Sequence, residues 1–215
     1  MAPSGTQGIE REQRIRFRAL SLEDMPRMMA WLSDPDVSPW YGEGELTIAN
    51  LTSKYRGPVE STEPTRPFIV TIDGTDSGYI QAYVIDDYPD YARQMELPPG
   101  AVGTDLFLGD PAIRGQGWGV PVLRAFHRRI VFGEMAATLA VVAPSPGNAR
   151  AIHVYEGAGF RWLKTVSIVA AEPDNTGDEY VMTMAAAELA IGRLDAESVH
   201  PCVSFRLGAA KDADS

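Results

Sequence analysis

The sequence predicts a single α/β domain built around a sheet of about seven strands. Strand-like and helix-like segments alternate along its 215 residues, and 45% hydrophobic with 22% charged residues is the composition of a globular protein. A chain of this length suggests one domain. It is also long enough to bury a sizeable hydrophobic core.

The first half of the chain predicts one strand, two helices and two further strands. Residues 14–20 alternate apolar and basic side chains, which is the period of a half-buried strand. Ser21 is a suitable N-cap for a helix whose apolar stripe indicates core packing. A second helix is expected after Thr47, ending near Gly57. The segments that follow are the strands 67–73 and 78–86 and a long loop at 87–100.

The second half alternates strands with helices and closes with two strands. A short strand at 103–109 leads through a glycine-rich loop into a helix of apolar period, and Asn148 is a plausible N-cap for the last helix. The other predicted strands are 138–143, 161–170 and 179–185.

Charge and cysteine usage exclude several classes of protein. Nineteen basic against 29 acidic residues give a net charge of −10, which disfavours a nucleic-acid partner and suits a cationic small molecule. The single cysteine, Cys202, excludes a disulfide framework, and the histidines form no ligand cluster, so we expect no metal. We expect His127 at the surface or a helix end. Neither a membrane span nor a secretion signal is recognisable, which predicts a cytoplasmic protein without a membrane partner.

The loop Arg114-Gly115-Gln116-Gly117-Trp118-Gly119 is the most informative segment. Alternate glycines let backbone N–H groups approach an anion without a Cβ in the way, and a helix N-terminus adds partial positive charge. The spacing is not that of a dinucleotide fingerprint, and no Gly-Lys-Ser/Thr follows as in an NTPase loop. Two interpretations remain, a phosphate-binding loop and a tight turn for which one glycine would suffice.

Two motifs resemble signatures of the GCN5-related N-acetyltransferase (GNAT) superfamily. Residues 114–119 are similar to its R/Q-x-x-G-x-G/A pyrophosphate loop, and residues 148–160 to its N-x-x-A-x-x-x-Y-x-x-x-G-F helix and turn. The predicted order of elements, β-α-α-β-β-β-α-β-α-β-β, is also similar to that of the superfamily fold. The resemblance implies a mixed sheet with flanking helices over residues 14–187. A flexible tail (1–13) would precede this domain, and a partly disordered extension (188–215) would follow it.

Within the superfamily the chain most resembles the aminoglycoside 6′-N-acetyltransferases. The similar pieces are residues 40–43, 78–83, 103–105 and 144–152. Two positions that are acidic in some members are Ala143 and Pro98 here. Other carboxylates of this chain could form an acidic wall instead, namely Asp86, Asp87, Asp90 and Glu96.

The resemblance implies acetyl-CoA as co-substrate and direct acetyl transfer to an amine in a ternary complex. Backbone N–H groups of residues 116–119 would hold the pyrophosphate. The pantetheine would pair with the strand beside Leu106 and Leu108, where a backbone N–H would face the thioester oxygen. The cofactor contacts so implied are Leu106, Phe107, Leu108, Arg114, Gly115, Gln116, Gly117, Trp118, Gly119, Asn148 and Tyr155.

Two residues are candidates for proton transfer. An alkylamine is mostly protonated at pH 7, so a positioned carboxylate must take its proton. Asp105 is our hypothesis for this base, with a turn anchor or a contact to the substrate cation as alternatives. Tyr155 matches the tyrosine that protonates the departing thiolate, with stacking against the cofactor as the alternative. Asn148 is expected to be a helix cap first and a cofactor contact second.

The acceptor site is predicted from aromatic and acidic residues. Aromatic faces suit sugar rings and cations, although the same side chains could be core aromatics. The expected substrate contacts are Trp40, Tyr41, Glu43, Gln81, Tyr83, Asp86 and Asp105. The leading acceptor is the 6′-amine of an aminoglycoside. The alternatives are a siderophore-type lysine side chain, a polyamine, a protein N-terminus, or an acyl-CoA-binding module without turnover. We expect a monomer or a homodimer.

Overall fold

The central sheet organises the protein. The computed structural model describes residues 5–41, 45–169 and 177–189. Seven strands form one sheet in the order β1-β2-β3-β4-β5-β7-β6. They are β1 (Ile15–Ala19), β2 (Arg66–Ile72), β3 (Thr75–Val84), β4 (Val102–Leu108), β5 (Leu139–Val142), β6 (Arg161–Ile168) and β7 (Gly177–Ala185). Within the described residues only β4 and β5 pair in parallel, so the predicted mixed sheet of about seven strands is confirmed.

Helices cover both faces of this sheet. They are α1 (Gly5–Gln13), α2 (Met25–Leu32), α3 (Ile48–Val59), α4 (Pro89–Met95), α5 (Gly119–Phe126) and α6 (Ala149–Ala158). Successive strand residues point to opposite faces, so Tyr79 packs with α2 and α3 whereas Ile80 packs with α5 and α6. The predicted element order is present, with α1 and α4 as additions. No helix in the described part of the chain is long and apolar enough to cross a bilayer.

Helix α1 corrects the expectation of a flexible tail for residues 5–13. The segment has no apolar stripe that could reveal a helix, and polar contacts hold it instead. Glu12 forms an ion pair with Arg128, and Nη2 of Arg129 donates to the Glu12 carbonyl at 2.7 Å. The structure places both arginines at the interface with α1.

Helix α4 lies inside the segment that the sequence predicts as a loop at 87–100. Pro89 is at its first turn, where the missing N–H costs nothing, and Met95 at its end is fully buried. Gln94 binds both backbone groups of Val169 just past β6, donating to the carbonyl at 3.2 Å and accepting from the N–H at 2.8 Å. A helix of seven residues is too short for its apolar period to stand out in the sequence.

His127 is fully buried at the end of α5, so the expected surface position is wrong and the expected helix end is correct. It begins a π-helical continuation of α5 that ends at Glu134. Its Nδ1 lies 2.8 Å from the carbonyl oxygen of Leu123, and its ring packs edge-on against Phe160. Burial lowers the pKa of His127 to about 4, because the charged imidazolium would lose its hydration.

We expect this histidine to make the fold sensitive to acid. The pKa of His127 in the folded protein lies below the unfolded value of 6.5. Its contribution to the free energy of unfolding is therefore complete above pH 6.5 and is lost as the pH falls towards 4. A shift of this size corresponds to about 3 kcal/mol. His127→Leu should lack this slope while losing about 1 kcal/mol at every pH with the hydrogen bond. Urea unfolding from pH 7.5 to 4.5 measures the difference, and parallel curves would contradict it.

Candidate active site

A cleft opens in the sheet where its two parallel strands separate. In the described pairing, β4 and β5 are in register only at Val102 with Ala140 and at Gly103 with Val141. Beyond Gly103 the second half of β4 pairs with β3 alone, which leaves one edge of that segment available to an extended ligand. A cavity of about 700 Å³ lies at this opening, and its lining includes the candidate site residues Asp105, Leu106, Phe107 and Leu108.

The glycine loop borders the same cavity. Gly115 and Gly117 have φ of 74° and 77°, a conformation that residues with a Cβ rarely adopt. One glycine would suffice for a simple tight turn. Two glycines with positive φ therefore favour the interpretation as a phosphate-binding loop. The cavity lining includes Arg114, Gly115, Gly117 and Gly119, and α5 begins at Gly119 with its free N–H groups and positive dipole end.

Arg114 belongs to the lining, but its guanidinium is held by carboxylates. Its two terminal nitrogens bind both oxygens of Asp34 at 2.7 and 2.5 Å, and Nη1 lies 3.2 Å from Asp36. The side chain is only 10% exposed. The hydrogen bonds from Arg114 lower the pKa of Asp34 to about 2. Arg114 therefore fastens the loop to the segment after α2, a role that the sequence did not suggest.

Asp105 is held in place by the neighbouring strand. Asp105 and Gln81 are direct partners across β3 and β4, and Gln81 Nε2 donates to Asp105 Oδ2 at 2.7 Å. Gln81 Oε1 in turn accepts from the Tyr79 hydroxyl at 2.6 Å. Burial raises the pKa of Asp105, while the hydrogen bond from Gln81 and the charge of Lys54 oppose this. A carboxylate with a raised pKa in a cavity is a stronger base than an exposed one and is suited to accept a proton.

Tyr155 and Asn148 face the cavity from α6. Tyr155 is 7% exposed, and burial raises its pKa with a further contribution from Asp105, so the phenol keeps its proton at neutral pH. Asn148 Oδ1 accepts from the N–H of Ala151 at 3.0 Å, which confirms the predicted N-cap. Both residues line the cavity, and their contacts with a cofactor stay predictions.

The aromatic residues expected at the acceptor site divide into two groups. Trp40 and Tyr41 line the cavity, and Trp40 is 49% exposed, so it is not a core residue. Tyr83 lies behind the lining, where its ring covers Gly103 and its hydroxyl binds that of Tyr91. It therefore supports β4 from the side of α4.

Asp86 and Glu43 are the two remaining predicted substrate contacts. Asp86 Oδ2 accepts from the N–H of Gly100 at 2.8 Å, which closes the segment containing α4. Glu43 lies outside the described residues.

Two residues of the glycine loop have partners away from the cavity. The side chain of Trp118 packs into the core rather than the cavity, and the carbonyl of Gln116 accepts a hydrogen bond from Arg11. In the part of the chain that the structure describes, no three His, Cys, Asp or Glu side chains could hold a metal ion.

Comparison with known families identifies this arrangement. A family profile described as an acetyltransferase (GNAT) domain matches residues 21–168. The chain belongs to the GNAT acetyltransferases. The aminoglycoside N(6′)-acetyltransferase type 1 of Klebsiella pneumoniae is 31% identical over 176 residues, which are 81% of this chain and 85% of that protein. A kanamycin resistance protein of Rhizobium radiobacter is 36% identical over 95 residues, or 44% of this chain and 83% of that protein.

Solved structures agree with this assignment. The aminoglycoside acetyltransferase AAC(6′)-Ib in complex with coenzyme A has a TM-score of 0.73 and 29% identity, covering 83% of this chain and 99% of that one. The same protein in complex with coenzyme A and kanamycin has a TM-score of 0.72 and 28% identity, with coverage of 83% and 99%. The GNAT fold predicted from the two motifs is confirmed.

This GNAT acetyltransferase contains a second carboxylate near Asp105 that the sequence analysis missed. Glu179 on β7 accepts from the Tyr91 hydroxyl at 2.7 Å. Burial raises the pKa of Glu179 to about 7, the bond from Tyr91 opposes this, and the charge of Asp105 adds to it. Its neighbour Tyr180 donates to the carbonyl of Pro144 in the cavity lining at 2.8 Å. A glutamate in a strand carries no sequence signal for such a position.

Proposed function

We propose that this acetyltransferase transfers the acetyl group of acetyl-CoA to a primary amine of a cationic small molecule, and that the acceptor is the 6′-amine of an aminoglycoside. The observation that carries the proposal is the placement of Asp105 in the cavity beside the open edge of β4, with Tyr155 and the glycine loop in the same lining. The similarity to aminoglycoside 6′-N-acetyltransferases supports the choice of acceptor.

The co-substrate is assigned to the glycine loop and β4. Acetyl-CoA supplies an acetyl thioester, an extended pantetheine and a pyrophosphate. Backbone N–H groups of the loop and the N-terminus of α5 suit the pyrophosphate. The open edge of β4 from Leu106 to Leu108 suits the amide groups of the pantetheine, and a backbone N–H there can polarise the thioester carbonyl.

The acceptor is attracted as a cation and must react as a neutral amine. Asp105 lines the cavity, and its carboxylate form favours a cationic ligand there. The exposed ring of Trp40 offers an apolar face to a sugar. Asp105 removes a proton from the ammonium group, and the nitrogen forms its bond to the acetyl carbon. The carbon–sulfur bond breaks, and the protonated phenol of Tyr155 donates its proton to the leaving sulfur. The acylated nitrogen then loses its second proton, which restores the phenol of Tyr155 and leaves a neutral amide.

Acetyl-CoA with a panel of amines tests the proposal through release of free thiol. The decisive comparison is a pair of aminoglycosides that differ only in a 6′-amine against a 6′-hydroxyl. We expect turnover with the amine alone. Turnover with both members would place the reacting nitrogen elsewhere on the sugar. Turnover only with lysine derivatives, polyamines or peptides would refute the aminoglycoside acceptor and keep the amine chemistry. Binding of coenzyme A without turnover on any amine would favour a binding module.

Gln81 should control the pH dependence of this reaction. Its hydrogen bond lowers the pKa of Asp105, so Gln81→Met should raise that pKa further. Because the reaction needs the carboxylate, the acidic limb of kcat/KM should move to higher pH, with about a tenfold loss at pH 7 and recovery in alkali. Tyr79→Phe removes only the hydroxyl that holds Gln81, so it should give a smaller shift in the same direction. A loss of kcat/KM that is equal at every pH would contradict the role of Gln81 in setting the pKa of Asp105.

A further inference from the structure

Helix α1 reaches the glycine loop through one side chain. Nη1 of Arg11 donates to the carbonyl oxygens of Gln116 at 2.9 Å and Gly117 at 3.2 Å. The guanidinium also lies over the ring of Trp118, 5.0 Å from its centroid. These contacts come from a segment before residue 21, where the match to the family domain begins.

The two hydrogen bonds determine which way the loop peptides face. In a trans peptide the C=O and the following N–H point in opposite directions. When Arg11 draws the carbonyls of Gln116 and Gly117 towards α1, the N–H groups of Gly117 and Trp118 must point away from α1. Gly117 itself lines the cavity. The contact therefore presents consecutive N–H donors as an anion site requires.

Contacts of the neighbouring residues hold Arg11 in position. Its neighbour Glu12 pairs with Arg128, and Arg129 donates to the backbone carbonyls of Glu12 at 2.7 Å and Ile15 at 2.9 Å. These bonds tie the end of α1 to the continuation of α5, the helix that the loop precedes. Arg11 is consequently fixed relative to the loop, and its positive charge lies on the side of the loop opposite the expected anion.

We propose that Arg11 is a positioning residue for the anion-binding loop, orienting its N–H groups towards the pyrophosphate of acetyl-CoA. This inference rests on the proposed use of acetyl-CoA and deepens it. Arg11 takes no part in bond making or proton transfer. It therefore affects binding of the pyrophosphate part of the donor and leaves the chemistry at the thioester unchanged.

Donors with and without the pyrophosphate test this role in the full-length protein. For Arg11→Met we expect KM for acetyl-CoA to rise at least tenfold with kcat within twofold of wild type. With S-acetylpantetheine, which lacks the pyrophosphate, variant and wild type should not differ. Arg11→Lys keeps the charge but cannot span both carbonyls and stack on Trp118, so its KM should be intermediate. Arg14→Met is the matched control, because Arg14 also covers Trp118 but pairs with Asp73.

The outcomes separate this inference from the proposed function. An unchanged KM for acetyl-CoA in Arg11→Met would overturn it, and so would an equal loss with both donors, since that indicates a general defect of the fold. An equally raised KM in Arg14→Met would assign the effect to stacking on Trp118 and overturn it as well. Failure of the wild-type protein to bind coenzyme A in calorimetry would instead refute the proposed function itself.

Discussion

Replacing Asp105 with Asn is expected to lower kcat about a thousandfold, because a positioned general base contributes factors of this order. The substitution keeps the size of the side chain and its contact with Gln81. It removes the group that takes the proton from the ammonium ion. Coenzyme A affinity should stay within about twofold, since the loop and the open edge of β4 remain intact.

The pH dependence makes this prediction specific. Without a base the enzyme depends on the small neutral fraction of the amine, and an alkylamine has a pKa near 10. The residual rate of Asp105→Asn should therefore rise about tenfold per pH unit up to that value. The wild-type rate should depend on the ionisation of Asp105 itself. Steady-state kinetics between pH 6 and 10 measure both profiles.

Two results would point to the other interpretations of Asp105. A raised KM for the amine with unchanged kcat would make it a contact for the substrate cation. Unchanged kinetics combined with lower thermal stability would make it a turn anchor. The control is Asp178→Asn, the same chemical change at an exposed position of β7, where the carboxylate accepts a hydrogen bond from the Ser167 hydroxyl. We expect this variant to match wild type.

Replacing Tyr155 with Phe should lower kcat about a hundredfold, within the range for loss of a general acid. The ring stays in its buried position beside Phe160, so packing is conserved and coenzyme A affinity should change little. Burial raises the pKa of Tyr155, which keeps the phenol protonated throughout the neutral range. What the variant loses is the proton for the departing thiolate.

The leaving group tests that assignment directly. An acetyl thioester of a more acidic thiol needs less protonation as it departs, so the defect of Tyr155→Phe should shrink with such a donor. A defect that is the same with every donor, or a kcat loss that only parallels weaker cofactor binding, would support the packing alternative. Tyr180→Phe is a suitable control, because this partly buried tyrosine of β7 packs against Trp162.

Much of the site could be predicted because its motifs are continuous in the sequence. The glycine loop and the segment 148–160 each place several functional atoms within a few residues, so their spacing is visible in the sequence alone. The cap at Asn148 follows from a similar local rule, whereas the residues of β4 were implied by the resemblance to the superfamily.

Contacts between distant segments could not be predicted. Gln81 is assigned to the acceptor by resemblance, but its amide binds Asp105 and its carbonyl binds Tyr79. Arg114 is assigned to the cofactor, but Asp34 holds its guanidinium. In both cases a polar side chain takes its partner from a neighbouring element, and sequence spacing contains no record of such neighbours.

The sequence by itself predicted the fold class and a phosphate-type loop, because apolar periods, caps and glycine spacing act within one element at a time. The candidate pair Asp105 and Tyr155 rests on the resemblance to the GNAT superfamily. Only the tertiary structure decided that α1 reaches the loop through Arg11, that His127 is buried and that Glu179 lies near Asp105. These depend on which surfaces meet, since burial and opposing charges set hydrogen-bond partners and pKa values after the elements have packed.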